Sequence, residues 1–317
     1  MKKKRTTIEK EVVIVGGGPS GLATAACLKV LSITNIAILE RENCICSLWK
    51  KRTYDRLHLH LHKNLCSLPH MPYPSNSPSY VPRSGVVDYL DSYAKRFDVR
   101  PTFNSDVQKV GFDEEEGRWR VVVGTGEEVV EYMARFVVVA SGENVEGVVP
   151  EVKGLEGFGG EVLHSSQYRS GKECEGKDVL VVGCGNSGME IACDLAESGA
   201  RTSIVVRSPV LPSLASVRGS EVRFVDGKTL QFDVIVFATG YKRTVKNWLK
   251  VSDDGYLIDD DGMAKQEFPN HWKGMNGLYC AGLKRRGFYG SSEDALNIAN
   301  DINNLLKLRE TLSSEQK

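Results

Sequence analysis

The feature that most constrains the fold is a glycine-rich turn that occurs twice in this 317-residue sequence. The first copy follows the apolar residues 12–15 and carries Gly16, Gly18 and Gly21. A buried strand, a G-x-G-x-x-G turn and a helix form the fingerprint of a dinucleotide-binding fold, in which the glycines let the backbone approach a pyrophosphate. The next apolar segment ends at Glu40, where a carboxylate can accept hydrogen bonds from ribose hydroxyls.

The second copy follows an apolar segment in the same way, and it carries Gly183, Gly185, Ser187 and Gly188. The apolar segment after it ends at Arg207 rather than at an acidic residue. A guanidinium suits the 2′-phosphate of NADP, which a carboxylate would repel. The second copy therefore predicts a site for NADPH in preference to NADH.

Both copies also end in the same way. Residues 136–142 and 234–240 are apolar segments that run into a small residue and a glycine. The repeat predicts an α/β fold with two Rossmann-like dinucleotide-binding domains, the second inserted in the first. We expect the first domain in two pieces, residues 1–145 and 233–317, and the second domain at residues 146–232.

The composition argues against several kinds of partner and site. Lys plus Arg total 41 and Asp plus Glu total 41, so the net charge is zero and no general attraction to nucleic acid is expected. No apolar run reaches the roughly 20 residues of a membrane span, which favours a cytoplasmic protein. The eight cysteines include no C-x-x-C pair, so we expect free thiols and no metal site.

Two nucleotide sites in one chain imply electron transfer between two cofactors, because NADPH can deliver a hydride to a flavin. We therefore expect FAD at the first site and NADPH at the second. A reduced flavin can pass its electrons to oxygen or to a disulfide, and the missing C-x-x-C dithiol favours oxygen. A flavin-dependent disulfide reductase remains the less favoured alternative.

The segment between the two copies resembles that of the flavin-containing monooxygenases. The family's F-x-G-x-x-x-H-x-x-x-Y pattern is present at Phe158, Gly160, His164 and Tyr168. Residues 237–241, Phe-Ala-Thr-Gly-Tyr, are similar to a second family motif, and residues 268–274 resemble a stretch typical of the plant branch, the YUCCA-type enzymes. The resemblance covers nearly the whole chain.

Residues 54–69 strengthen the resemblance to the plant branch. The YUCCA-like pattern here is L-H-L-P-K-Q-F-C, which this sequence matches at Leu59, His60, Leu61, Lys63 and Cys66. The sequence departs from that pattern at His62, Asn64 and Leu65. Because His58, His60 and His62 alternate, we interpret them as side chains on one face of a strand rather than as a metal cluster.

The resemblance implies a reaction. YUCCA-type enzymes convert indole-3-pyruvate, NADPH and O2 to indole-3-acetate, carbon dioxide and water in auxin biosynthesis, through a flavin hydroperoxide. The protein's part is to position the cofactors and to exclude water. A monooxygenase that oxidises nitrogen or sulfur atoms is the enzymatic alternative. A peripheral association with the endoplasmic reticulum surface stays open beside the cytoplasmic location.

The resemblance also implies site residues outside the glycine-rich turns. Residues 141–144 are similar to the family's T-G-E-N, which makes Asn144 a candidate catalytic residue, and the pattern around His60 makes that histidine another. Trp49 is a candidate cofactor contact. Gly282 is another, because its segment resembles the strand that returns to the FAD in the family.

One stretch departs from the family pattern. A segment at 208–217 resembles a family strand that normally comes several dozen residues after the second nucleotide strand, yet here it follows Arg207 directly. A crossover into a parallel sheet needs about a dozen residues or more, so we expect an internally shortened NADPH domain. The chain is then either a working monooxygenase that tolerates the short segment or a shortened, catalytically incompetent form.

Overall fold

The computed structural model describes residues 4–125, 128–206, 214–251, 257–259, 264–284 and 286–315. The chain divides into two compact units. Unit 1 comprises Met1–Ser47, Leu61–Val145 and Arg243–Lys317, and unit 2 comprises Leu48–His60 and Glu146–Lys242. Within the described ranges, every helix is too short or too polar to cross a membrane.

The elements are numbered in chain order. The strands are β1 (Lys4–Val15), β2 (Ile36–Leu39), β3 (Asp106–Asp113), β4 (Arg118–Thr125), β5 (Glu128–Val139), β6 (Glu146–Gly147), β7 (Glu161–His164), β8 (Asp178–Val182), β9 (Arg201–Val205), β10 (Leu214–Arg218), β11 (Glu221–Phe224), β12 (Thr229–Gln231), β13 (Val234–Phe237), β14 (Tyr241–Lys242), β15 (Leu249–Lys250) and β16 (Leu278–Cys280). The α-helices are α1 (Pro19–Val30), α2 (Ser47–Lys51), α3 (Arg83–Arg96), α4 (Asn186–Glu197), α5 (Val245–Trp248) and α6 (Gly287–Glu315). Short 3-10 helices lie at Lys63–Leu65, Leu155–Gly157 and Gly171–Cys174.

Unit 1 is built on a seven-stranded mixed sheet in the order β15-β3-β4-β5-β1-β2, with β16 also paired to β5. Strands β1, β2, β5 and β16 run parallel, and β3, β4 and β5 form an antiparallel meander. The register aligns Leu39, Val15, Val139 and Cys280 in one row. The carboxyl ends of the four parallel strands therefore share one edge of the sheet.

Helix α1 is enclosed in unit 1. Its residues from Gly21 to Leu28 are all buried, and it packs against α6 and α3. The sequence of α1 is rich in alanine and has apolar residues on every side, which is the composition of a helix with no face exposed to solvent. The enclosed helix fixes the glycine-rich turn that precedes it.

Unit 2 contains a four-stranded parallel sheet in the order β7-β13-β8-β9. Alternate residues of its central strands bury opposite faces: Val179 and Val181 lie in one cluster with Ile191 of α4, whereas Leu180 lies in a second cluster with Phe224. The second cluster also contains residues of β10 and β11, which form an antiparallel meander with β12. The predicted α/β class with two Rossmann-like folds is confirmed.

Candidate functional site

The first glycine-rich turn has the geometry of a nucleotide cradle. Gly16 has φ +117°, and a Cβ atom there would overlap the carbonyl oxygen of Ala140. A Cβ at Gly21 would overlap the carbonyl oxygen of Gly16, whereas a Cβ at Gly18 would meet nothing within 4 Å. The protein itself thus requires glycine at two of the three positions, and the open side of Gly18 leaves space for a ligand.

The helix that follows this turn offers an anion site. Gly18 caps α1 without any side-chain hydrogen bond, Pro19 occupies the first turn, and no acidic residue lies there. The first amides of a helix point outward and carry a partial positive charge. Together with the open side of Gly18, these amides fit the pyrophosphate of a dinucleotide.

Glu40 is fixed beside the first turn. It is 7% exposed, its Oε2 accepts a hydrogen bond from the N–H of Gly17 at 2.6 Å, and its Oε1 accepts one from the N–H of Glu42 at 2.9 Å. Each carboxylate oxygen keeps a further lone pair. The predicted hydrogen bond from Glu40 to a ribose hydroxyl is compatible with these contacts and stays a prediction.

The second turn, in unit 2, repeats this construction. Gly183 has φ +113°, and its Cβ would overlap the carbonyl oxygen of Ala238. A Cβ at Gly188 would overlap the carbonyl oxygen of Gly183, whereas at Gly185 it would meet nothing within 4 Å. Gly185 caps α4 without a side-chain hydrogen bond. This turn therefore fits a second dinucleotide by the same criteria.

The predicted contact of Arg207 with a 2′-phosphate falls outside the described residues. The strand register does show its neighbourhood: Val182 pairs with Val205 as Val15 pairs with Leu39. Val206, and not Arg207, therefore occupies the position that corresponds to Glu40.

The residues of the F-x-G-x-x-x-H-x-x-x-Y pattern support unit 2. A Cβ at Gly160 would overlap the carbonyl oxygen of Asp233. Phe158 packs against the second cluster of unit 2, which contains Leu180 and Phe224. The hydroxyl of Tyr168 donates to Asp194 of α4 at 2.5 Å, while burial of that hydroxyl raises its pKa. The structure thus gives these residues positioning roles within unit 2.

His164 joins the ends of two strands. It is 5% exposed, and its Nε2 lies 3.0 Å from the carbonyl oxygen of Gly240, to which it can only donate. Its Nδ1 then accepts from Ser166. Burial lowers the pKa of His164, and the Gly240 carbonyl opposes that shift in part. His164 therefore holds the turn after β13 as a neutral imidazole.

His60 belongs to a hydrogen-bonded network at the start of α4. Its Nε2 lies 3.0 Å from Glu190 Oε2, its Nδ1 lies 3.1 Å from the side-chain Nδ2 of Asn186, and the Tyr54 hydroxyl donates to Glu190 at 2.7 Å. Tyr54 also contacts the Ser187 hydroxyl, and its pKa is raised by burial and then by Glu190. His60 thus holds the segment Leu48–His60 to the second glycine-rich turn.

His60, Asn186 and Glu190 of this network line a depression of about 430 Å³ together with Met189 and Cys193. The predicted catalytic role of His60 is not tested by this arrangement and stays a prediction. Sequence reasoning missed Tyr54 and Glu190, because they lie 136 residues apart and belong to no shared motif.

The interpretation of three histidines on one face of a strand is wrong. Residues 59–62 form no strand, and the Lys63–Leu65 3-10 helix follows them directly. His58 Nδ1 lies 2.5 Å from the carbonyl oxygen of Arg56, and His62 Nδ1 accepts from the Asn64 N–H as the cap of the 3-10 helix. Each histidine therefore has its own local partners. No group of three His, Cys, Asp or Glu side chains in the described ranges is arranged to hold a metal ion.

The remaining predicted site residues lie in different settings. Asn144 is exposed on the turn after β5. Trp49 packs against the unit 2 cluster that contains Tyr54 and Ile191. The catalytic role of Asn144 and the cofactor contact of Trp49 stay predictions.

Gly282 lies at the carboxyl edge of the unit 1 sheet with φ +98°. Its N–H donates to Asp294 Oδ2 at 2.8 Å, and Asp294 Oδ1 lies 2.9 Å from His271 Nε2. Asp294 is fully buried, which raises its pKa, while the Gly282 N–H and His271 oppose that shift. Sequence reasoning missed this buried pair, which holds the turn beside Ser20 of α1.

Comparison with known proteins identifies the family. Residues 13–216, more than half of the chain, match the family described as pyridine nucleotide-disulphide oxidoreductase. The probable indole-3-pyruvate monooxygenase YUCCA9 of Arabidopsis thaliana is 41% identical, with 92% of this chain and 89% of the relative covered. YUCCA10 of the same plant is 39% identical, with 94% and 98% covered.

The alignments also show that this chain is internally shorter than its relatives. The YUCCA9 alignment spans 377 positions, but 92% of 317 residues supplies only about 292, so about 85 positions have no residue here. The YUCCA6 alignment spans 389 positions with 96% of the chain covered, which again leaves about 85. In the structure, β9 ends at Val205 and the next strand begins at Leu214, which is the place where the sequence predicts the missing segment.

A solved flavin-containing monooxygenase from Stenotrophomonas maltophilia shares the fold, with a TM-score of 0.80 at 24% identity over 94% of this chain and 99% of that one. FAD and NADPH are the cofactors that the family and the two nucleotide folds imply. By its identity of about 40% to the Arabidopsis enzymes over more than nine-tenths of the chain, the protein belongs to the YUCCA family of flavin-dependent monooxygenases.

Proposed function

We propose that this chain catalyses the NADPH- and O2-dependent oxidative decarboxylation of indole-3-pyruvate to indole-3-acetate. The observation that carries the proposal is the 41% identity, over 92% of this chain, to the probable indole-3-pyruvate monooxygenase YUCCA9. In the balanced reaction one NADPH, one O2 and one proton are consumed with the keto acid, and carbon dioxide, NADP⁺ and water leave with the product. A cytoplasmic location, with the endoplasmic reticulum surface as the alternative, is part of the proposal.

The site residues have separate tasks in this proposal. The chemistry that FAD supplies when bound is acceptance of a hydride and activation of O2. Gly16, Gly18 and Gly21 shape the cradle of unit 1, and the amides at the start of α1 bind the FAD pyrophosphate. Glu40 binds the adenosine ribose, and Gly282 closes the same edge of the sheet.

In this proposal NADPH binds to the glycine-rich turn of unit 2, as FAD binds to that of unit 1. Gly183, Gly185 and Gly188 shape the second cradle, and α4 supplies the amides for the pyrophosphate. Ser187 lies on the first turn of α4, and Arg207 pairs with the 2′-phosphate. These assignments rest on the construction shared with unit 1.

A second candidate is a shortened form that binds FAD but does not turn over. The observation that favours it is that about 85 positions of the alignment with YUCCA9 have no residue in this chain. An N- or S-oxidising monooxygenase is the third candidate, and it differs from the first only in substrate.

The test is the visible spectrum of the purified flavoprotein under anaerobic conditions, before and after NADPH is added. We expect NADPH to bleach the flavin. Once O2 and indole-3-pyruvate are supplied, we expect indole-3-acetate to form in an amount equal to the NADPH consumed. A flavin that binds but does not bleach selects the shortened, inactive form. If the flavin bleaches and the protein turns over an amine or a thioether but does not turn over the keto acid, the result selects the third candidate.

A further inference from the structure

Two polar residues begin the helix of the second glycine-rich turn. Gly185 is the N-cap of α4, and Asn186 and Ser187 are the first two residues of the helix. A ligand that binds the free amides of this helix end passes directly beside these two residues. The orientation of their side chains therefore matters for the second nucleotide site.

Glu190, one turn further along α4, accepts two hydrogen bonds from the segment Leu48–His60. Its Oε2 lies 2.7 Å from the Tyr54 hydroxyl and 3.0 Å from His60 Nε2. A carboxylate only accepts, so both partners donate. Tyr54 is 3% exposed and the Glu190 side chain is 19% exposed, which limits competition from water for these bonds.

Each donor to Glu190 also accepts a hydrogen bond from the start of α4. Because His60 Nε2 donates, its Nδ1 can accept from the side-chain Nδ2 of Asn186 at 3.1 Å. The Ser187 hydroxyl opposes the rise that burial causes in the pKa of Tyr54, which is the effect of a donor to the phenol oxygen. These five residues form the Glu190 network, which engages the side-chain donors of Asn186 and Ser187.

The turn of unit 1 shows the same treatment of the equivalent serine. Ser20 precedes Gly21 on α1 as Ser187 precedes Gly188 on α4. The Ser20 hydroxyl donates to Ser291 of α6 at 2.8 Å. In both turns, therefore, a residue from a distant part of the sequence engages the hydroxyl at the start of the helix.

This engagement leaves the helix amides to a ligand. Serine and asparagine side chains near a helix start otherwise compete for its unpaired amides. In the Glu190 network both side chains are already bonded, and Gly185 has no side chain that could cap the helix. A site whose polar groups are held in place before the ligand arrives binds with a smaller loss of entropy.

We propose that the Glu190 network holds Asn186 and Ser187 in the orientation that lets α4 bind the pyrophosphate of NADPH. Tyr54 and His60 are then positioning residues, which act on the ligand through the start of α4. This role rests on the proposed function, in which NADPH binds to the second glycine-rich turn. It adds to that function the residues outside the glycine motif that determine how tightly the dinucleotide is held.

The experiment measures the dissociation constants of NADP⁺ and NAD⁺ by calorimetry with the FAD-loaded protein. The variants are E190A, E190Q, Y54F, S187A and the double variant Y54F/S187A. The two dinucleotides share the pyrophosphate and differ in the 2′-phosphate, so a change at the pyrophosphate affects both. Flavin content and melting temperature report separately on the fold of each variant.

The matched control is E197Q. Glu197 also lies on α4 and binds the same segment, because Arg56 Nη2 donates to its Oε1 at 3.1 Å. This ion pair is at the opposite end of the helix from the glycine-rich turn, and the Glu197 side chain is 68% exposed. E197Q therefore loosens the attachment of the segment without changing a contact at the start of α4.

We expect E190A and Y54F to weaken NADP⁺ and NAD⁺ by the same factor, roughly 10-fold, with normal flavin content. E190Q should recover part of the loss, because its amide oxygen can still accept a hydrogen bond. E197Q should stay within about twofold of wild type, and Y54F/S187A should bind as Y54F does, since the two changes remove one shared bond.

Several results would overturn the proposal. Affinities of E190A and Y54F within about twofold of wild type would show that the network does not affect binding. Equal losses in E197Q would mean that only attachment of the segment matters, and additive losses in Y54F/S187A would mean that Ser187 contacts the ligand itself. A loss for NADP⁺ alone, or a wild-type protein that binds neither dinucleotide, would also contradict it. If Y54F does not fold, E190A and E190Q decide by the same criteria. A wild-type protein that binds NADP⁺ but does not turn over indole-3-pyruvate contradicts only the proposed function.

Discussion

The two units share one nucleotide-binding construction but enclose it to very different extents. Gly21 of α1 and Gly188 of α4 hold the same position in the two turns. In unit 1 the residue after this glycine is Leu22, which has no exposed surface. In unit 2 it is Met189, which is 52% exposed. Unit 1 surrounds its helix, whereas unit 2 covers one face only, formed by residues such as Ile191 and Leu195.

The neighbouring strands show the same difference. Ile38 of β2 and Ile204 of β9 hold the same register position, and they are 3% and 41% exposed. The chain after β2 forms α3 and returns to hydrogen-bond β2 through Thr102. Within the described residues, β9 pairs with β8 alone. The geometry of a glycine-rich turn thus depends on the strand and helix beside it, while the burial of that helix depends on the segment that follows.

The largest expected effects come from adding a Cβ at the first glycine of each turn. In G16A and G183A the methyl group would overlap a backbone carbonyl at a positive φ, which costs about 1–3 kcal/mol in strain before the overlap is counted. We expect G16A to be purified without FAD, and G183A to retain FAD without being bleached by NADPH. Flavin content and the anaerobic spectrum measure both outcomes.

The matched controls are G18A and G185A, where a Cβ meets nothing within 4 Å. We expect both proteins to melt within about 2 °C of wild type, because the fold has room for the methyl group. Their nucleotide affinities should fall, since the methyl group enters the space assigned to the pyrophosphate. Normal nucleotide binding in both controls would contradict the assignment of these cradles.

The second prediction compares the two isoleucines directly. We expect I38A to lose about 2–5 kcal/mol in the free energy of unfolding, because it leaves a cavity in a closed core. I204A should lose less than about 1 kcal/mol, since its side chain is already partly in solvent. Urea unfolding of the two variants measures the difference, and equal losses would show that Ile204 is covered in solution.

The third prediction concerns a tyrosine–aspartate hydrogen bond present in each unit. Tyr168 donates to Asp194 at 2.5 Å in unit 2, and Tyr279 donates to Asp301 at 2.6 Å in unit 1. Each bond ties a buried tyrosine to a helix carboxylate, so Y168F and Y279F should each cost about 1–3 kcal/mol. Limited proteolysis should show earlier cleavage within unit 2 for Y168F and within unit 1 for Y279F. Cleavage at the same sites in both variants would mean that the units unfold together.

The sequence predicts the nucleotide folds well because their signals are local. A strand, three glycines and a helix occupy about 20 consecutive residues, so the motif is visible without any long-range information, although the contact that requires Gly16 is with the distant Ala140. The alternation of His58, His60 and His62 gave a wrong strand, since the cap at His62 starts a 3-10 helix and ends any ladder. The Asp294–His271 pair could not be predicted, because its burial arises only when separate segments of the chain meet.

The smallest predicted effect is a pH dependence confined to unit 2. Burial lowers the pKa of His164 in the folded protein, whereas an unfolded histidine titrates near 6.5. The unfolded chain therefore binds the proton first as the pH falls. The stability that depends on neutral His164 is complete above about pH 6.5 and declines as the pH falls from there towards the lowered pKa.

We expect H164Q to be less stable than wild type at pH 7.5, because it loses the bond to the Gly240 carbonyl, and to show a flatter decline between pH 7 and pH 5. The control is H58Q, which replaces an exposed histidine of the same unit and should retain the wild-type slope. Urea unfolding at several pH values gives the two slopes. An unchanged slope in H164Q would mean that His164 accepts its proton without leaving Gly240, and that the turn after β13 is held equally well by the charged imidazole.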